Sequence, residues 1–102
     1  MPSFRISSPA LRDLAEITTW LTRETGARIA RQTEDHIFST FERIATFPRI
    51  GHSRYDLTRR PVLFLFSRPY LVVYQPDPYP ITIHAVLHSA RNVASILEDR
   101  AI

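Results

Sequence analysis

The sequence predicts an α+β fold: an N-terminal strand, an antiparallel helical hairpin, a three-stranded antiparallel meander and a short C-terminal helix. Three observations carry this. Apolar residues recur at helical spacing between residues 10 and 44, interrupted at Gly26. Runs rich in β-branched and aromatic residues then occupy 62–66, 70–74 and 81–88, separated by proline-containing turns. The length, 102 residues, suits one domain with a single core that needs neither disulfides nor metals.

Residues 3–7, SFRIS, alternate about Phe4 and Ile6 and form a short strand. Ser8 is expected to cap the first helix, with Pro9 at its first position, where a missing amide is harmless. Ala10, Leu14, Ile17 and Leu21 make one apolar stripe, and Asp13 and Glu16 sit early, where the helix dipole favours acids. Gly26 supplies the break. The second helix starts at Ala27 and carries Ala30, Ile37, Phe41 and Ile44 on one stripe. It must stop near Phe47, because Pro48 disfavours helical geometry in its predecessor. So short a turn makes the pair an antiparallel hairpin, its second helix about 30 Å long.

Residues 48–60, PRIGHSRYDLTRR, follow neither period and read as an ordered loop. Pro61 opens the strand VLFLF, and Ser67, Arg68 and Pro69 turn it into YLVVY; PDPYP then leads into ITIHAVLH. Strict alternation puts Ile81, Ile83, Ala85 and Leu87 on one core face, and Thr82, His84, Val86 and His88 on the other. Ser89, Ala90 and Arg91 form a corner into a helix that begins at Asn92, with Val93, Ile96 and Leu97 as its stripe. Donors gathered at such a corner can bind an anion. The runs 62–66 and 70–74 are apolar on both faces, whereas a sheet with one wet face alternates. One helical hairpin covers one face of a four-stranded sheet about 19 Å wide. The terminal helix covers part of the other face, and a partner protein is expected to cover the rest.

The formal charge is +3, and every one of the 13 basic residues is arginine. That bias fits planar forks for phosphate or carboxylate, but GC-rich coding produces it equally well. Distribution is more informative. Residues 1–47 balance arginine against acid, whereas 48–91 hold six arginines against Asp56 and Asp77 alone. A basic second half suits an acidic peptide, nucleic acid or a nucleic-acid enzyme, its plain alternative being a solvated face. The absence of cysteine excludes a disulfide framework and a zinc-thiolate site. The N terminus has no signal-peptide apolar region, and the longest uncharged run, 78–90, is too short to span a bilayer. A soluble intracellular protein with no membrane partner is expected.

The order of elements, together with the segments FPRIGHSRYDL, RRPVLFL, YLVVYQ and VLHSARN, resembles the ParE/RelE superfamily of toxins from type II toxin-antitoxin modules, and the ParE branch most. The likeness runs from Ser8 to about Leu97. It implies a cytoplasmic bacterial toxin held in a hetero-oligomer by a ParD-like antitoxin, whose C-terminal segment wraps it as helix and strand. ParE-like toxins are associated with poisoning DNA gyrase, and RelE-like toxins with cleaving messenger RNA in the ribosomal A site.

RNA cleavage through the 2′-hydroxyl needs a base, an acid and a cation for the phosphate. The resemblance implies lysines, arginines and a late tyrosine for the RelE recipe. This chain has no lysine and no tyrosine after Tyr79. A histidine site stays open, with His88 as acid or base and Arg91 as phosphate clamp. Against it, His88 can simply fix the corner by a hydrogen bond, and Arg91 can pair with Asp56 or Glu98 or meet an acidic antitoxin. Arg49, His52, Arg54, Arg59, Arg60 and Arg68, with Arg91, are candidates for binding antitoxin or target, their alternative being a solvated surface. Tyr55 can stack on a base, but a tyrosine beside a strand entry more often packs on the core. His36 is expected on the helix surface. His84 and His88 lie about 13 Å apart along an extended strand, too far to share a zinc ion. Neither a metal nor another cofactor is expected, since no glycine-rich phosphate loop, nucleophile elbow or interpretable carboxylate pair is present. A non-catalytic gyrase-binding toxin is the first expectation. A ribosome-dependent endonuclease using His88 and Arg91 is the second, and a non-toxic antitoxin-binding module the third.

Overall fold

The helical periodicity of the first half is realised as two antiparallel helices with a single glycine between them. A computed structural model describes residues 3–102 and runs β1 (Phe4–Ile6), α1 (Ser8–Thr25), α2 (Ala27–Thr46), β2 (Leu63–Ser67), β3 (Tyr70–Gln75), β4 (Ile81–His88) and α3 (Val93–Asp99). Gly26 takes φ 92°, a left-handed value that side chains disfavour. The cap lies one residue earlier than expected: the Ser7 hydroxyl accepts from the Ala10 amide at 3.2 Å, and Pro9 is the second helical residue. Asp13 and Glu16 therefore lie beyond the first turn, where a helix dipole no longer acts on them. The first strand is also shorter than expected, and the second starts at Leu63 and takes in Ser67, so that Arg68 and Pro69 alone form the turn.

The sheet has the order β1-β4-β3-β2, with β1 parallel to β4 and the meander antiparallel. One face packs on the hairpin through Leu14, Ile37, Phe41 and Ile44, all buried. The other carries Val62, Phe64, Leu71, Val73, Ala85 and Leu87 against Val93 and Leu97 of α3. The terminal helix thus covers most of the face for which the sequence favoured a partner. Leu57, Ile96 and Ile102 close the margins, leaving Phe66 at the β2 edge 42% exposed.

The expected alternation in β4 is broken at one residue. Tyr74 pairs with Ile83 and Val73 with Ala85, which leaves His84 as the extra residue of a bulge. A one-residue insertion sends every later side chain to the opposite face. Ile81, Ile83 and Val86 therefore face the hairpin, whereas Ala85 and Leu87 face α3. His84 is half-buried with Nε2 3.1 Å from Gln75 Oε1, and burial pushes its pKa below 6.5.

β1 reaches only as far as Ile83, so the same edge of β4 continues without a neighbouring strand. Residues around α1 occupy it. The Ser7 amide donates to the Ile83 carbonyl at 3.0 Å and its hydroxyl to that of His84 at 3.4 Å. The Val86 amide donates to Asp13 Oδ2 at 3.0 Å. Asp13 is 4% exposed, and Arg100, just past α3, holds both its oxygens at 2.6 and 2.8 Å.

Two predictions follow from this edge. Asp13→Asn keeps the shape but strips Arg100 of its counter-charge. Breaking a fully buried pair costs about 3–5 kcal/mol. Because the Arg100 side chain is 22% exposed, a loss of about 2–4 kcal/mol is expected in urea unfolding. For His84, the unfolded chain takes up a proton before the folded one as pH falls. Its contribution is full above the unfolded pKa of about 6.5 and is lost as pH drops toward the folded pKa. His84→Gln should flatten the urea midpoint between about pH 8 and about pH 5 relative to the wild type.

Candidate functional site

Beyond β4 the chain turns through a corner whose backbone donors are already used. Ser89 N–H donates to the Pro69 carbonyl, Arg91 N–H to the His88 carbonyl and Ala90 N–H to His88 Nδ1, each at 3.0 Å. The Asn92 side chain caps α3 by accepting from the Ser95 amide at 3.2 Å, so Asn92 precedes the helix instead of starting it. With these bonds made, the amides of Ser89, Ala90 and Arg91 are not free to hold an anion. Any anion here has to be held by side chains. His88 performs the corner-fixing role, and its accepting Nδ1 places the proton of the neutral ring on Nε2. The ring stands edge-on to Tyr70, centroids 5.7 Å apart.

The bulge turns Val86 and His88 toward α1, and there they line a cleft of about 630 Å³ with Arg91. Glu16, Trp20 and Arg23 line it from α1, at the spacing of four and three that puts residues on one helix face. Tyr70 contributes from β3, and its burial raises the phenol pKa. Trp20 is 52% exposed. Among the described residues, neither Arg23 nor Arg91 has a carboxylate within ion-pair distance. Of the two readings of Arg91, the ion pair with Asp56 or Glu98 is thus absent there: Asp56 is held by Arg54 at 2.8 and 2.9 Å.

The other arginines do not gather around this cleft. Residues 48–60 are pinned from beneath by Tyr74, a fully buried phenol that accepts from the Gly51 amide at 2.9 Å and donates to the Pro48 carbonyl at 2.8 Å. The backbone of His52 pairs in both directions with that of Phe64, leaving the side chain exposed. Arg49 pairs with Asp77 past the far end of β3, roughly 17 Å of strand from Tyr70 at 3.4 Å per residue. Arg59 and Arg60 line a hollow with Ala94, Glu98 and Ile102. Arg68 lies over the Phe66 ring, 5.0 Å from its centroid. Tyr55 is 68% exposed, which corrects the expectation that it packs on the core. His36 is exposed as expected.

Of the residues singled out from the sequence, the fold therefore joins His88 to Arg91 and scatters the rest. It adds Trp20, Arg23 and Tyr70. Trp20 carried a signal, because it is a large aromatic residue set off the stripe of Ala10, Leu14, Ile17 and Leu21. Among the described residues, no group of three or more His, Asp or Glu is placed to hold a metal. No described helix is long and apolar enough to cross a membrane.

Residues 4–93 match the family described as ParE toxin of type II toxin-antitoxin system, parDE. The chain belongs to the ParE toxin family. It is 32% identical over 90 residues to Toxin ParE3 of Caulobacter vibrioides, covering 87% of this chain and 88% of that one. Its fold is shared with a solved structure described as the chromosomal ParDE TA system from P. aeruginosa. There the TM-score is 0.73 and the identity 19%, over 86% of this chain and 96% of that chain.

In this ParE family member the cleft is lined by Trp20, Tyr70 and Val86 and by two arginines that have no carboxylate partner among the described residues. Only Nε2 of His88 is left for proton transfer, since Nδ1 is engaged by Ala90. The separate arginine loop depends on the absence of a side chain at residue 51. A Cβ at Gly51 would come within 2.7 Å of the Tyr74 hydroxyl and 2.9 Å of the Phe64 carbonyl. Gly51→Ala should therefore lower stability by about 1–3 kcal/mol in urea unfolding. It should also speed amide exchange at His52, whose N–H bonds to Phe64.

Proposed function

We propose that this chain is the growth-arresting toxin of a type II toxin-antitoxin pair. In this reading a ParD-like antitoxin neutralises it in a hetero-oligomer, and the free toxin acts in the bacterial cytoplasm by binding DNA gyrase, without catalysis. The carrying observation is the match to the ParE toxin family over residues 4–93. A relative that shares the fold is described as part of a ParDE system, which supports an antitoxin partner. The corner-fixing bond of His88 supports binding over catalysis, because it commits one ring nitrogen to structure. The gyrase target comes with the family resemblance.

The test is induced expression in bacteria with and without the adjacent antitoxin reading frame, with purified gyrase assayed in parallel. Arrest relieved by the antitoxin, intact transcripts and loss of gyrase supercoiling are the expected results. Transcripts cut at ribosome-occupied codons, with cutting abolished by His88→Ala or Arg91→Ala, would replace gyrase binding with an endonuclease. Folded protein that binds the antitoxin yet arrests nothing would identify a non-toxic binding module.

A further inference from the structure

Two neighbouring arginines have no role in the cleft or in the ion pairs. Arg59 and Arg60 are exposed, and neither has a carboxylate within ion-pair distance among the described residues. The nearest acids in sequence are already engaged: Arg54 holds Asp56 and Arg49 holds Asp77, and no acid lies between those two positions. Arginines of the helices are placed differently. Arg12 has Glu16 and Arg31 has Asp35 four residues on, a spacing that makes neighbours on a helix surface.

The segment that carries the pair is held in place by hydrogen bonds. The Leu57 and Thr58 amides donate to the Arg54 carbonyl at 2.9 and 3.0 Å, closing a helical turn. The Thr58 hydroxyl donates to the Ile102 carbonyl at 2.9 Å and accepts from the Arg60 amide at 3.2 Å. The Arg60 carbonyl in turn accepts from the Val62 amide at 2.8 Å, at the entry to β2. With Leu57, both arginines line a hollow of about 520 Å³ against Ala94, Glu98 and Ile102, beside α3. It shares no lining residue with the cleft. Cations carried on a fixed backbone lose less freedom when they meet an anion.

We infer that the rim of this hollow is a docking surface for duplex DNA, with Arg59 and Arg60 each holding a backbone phosphate. Guanidinium forks match phosphate oxygens in geometry and charge. A duplex suits the surface better than a single strand, because single strands are gripped by successive aromatic rings and the loop offers Tyr55 and no other Phe, Tyr or Trp. An acidic peptide suits it less, because Leu57 and Ile102 pack against the core beneath α3 and leave no apolar anchor. Glu98 in the lining repels phosphate, so its neutralisation should strengthen binding. DNA binding here does not depend on which protein the toxin stops.

The test is fluorescence anisotropy of a short labelled DNA duplex of mixed sequence, titrated with the full-length chain at several salt concentrations. Arg59→Ala and Arg60→Ala should each weaken binding roughly 10-fold at about 0.1 M salt. Each should also flatten the slope of log affinity against log salt by about 0.9, the loss of one phosphate contact. Arg12→Ala and Arg31→Ala, which remove the same charge, should leave both quantities unchanged. Arg59→Lys and Arg60→Lys should keep the slope, since the charge count is retained, and Glu98→Gln should tighten binding. A merely misfolded variant produces neither result.

Equal losses from the helix and loop arginines would reduce the effect to overall charge and overturn the inference, as would no duplex binding at low salt. Loss with Arg91→Ala in place of the loop pair would move the DNA to the cleft, against the inference. A polyglutamate peptide that binds more tightly than the duplex, with the same dependence on Arg59 and Arg60, would assign the hollow to an acidic protein segment instead.

Discussion

A three-residue β1 beside an eight-residue β4 leaves half of β4 with an unpaired edge inside the molecule, and the architecture around the cleft answers that constraint. Backbone donors and acceptors cannot be buried without partners, and each failure costs about 1–3 kcal/mol. Ser7 and Asp13 supply those partners from the start of α1. Using a carboxylate for this purpose buries a charge, and Arg100 neutralises it from the C-terminal side of α3. Three elements distant in sequence thus meet at one side chain. The position of α1 over β4 and the docking of α3 beneath it are coupled through Asp13.

The bulge at His84 determines what that arrangement presents. With unbroken alternation, Val86 and His88 would point with His84 toward α3, and Ala85 and Leu87 toward the hairpin. One extra residue exchanges the two sets. Val86 becomes the floor of a cleft under α1, His88 stands beside Tyr70, and Ala85 and Leu87 join the core beneath α3. The continuous apolar run that ends β4 makes sense in this light, because both faces of the strand are covered after the bulge. The cost is a half-buried imidazole at the bulge itself, held against Gln75.

Arginine supplies all the basic charge in the chain, yet the side chains have different fates according to the nearest acid or ring. Arg49 and Arg54 are tied to Asp77 and Asp56 at exposed positions, where solvent screens ion pairs and they contribute little to stability. Arg68 lies on Phe66, and Arg100 is locked on Asp13. Arg23 and Arg91 are left at the cleft. A basic second half in sequence is therefore not one basic patch in space.

Much of the fold was legible because it rests on local rules. The stripes of α1 and α2 set which helix faces are buried, Gly26 and Pro48 set where the helices stop, and the proline turns mark off the meander. Even the corner after β4 was visible, with His88 and Arg91 at one spot. The parity of β4 was not legible, since a bulge arises from the pairing of two strands, and Val73, Tyr74 and His84 carry no local mark of it. The same holds for Asp13, which looks like an early-helix acid until Val86 and Arg100 arrive from 73 and 87 residues away. The sequence by itself determined the order and type of the elements, because periodicity, caps and breakers act over a few residues. Only the tertiary structure decided which side chains share the cleft, because that depends on strand register and on a charge that must find its partner across the sheet.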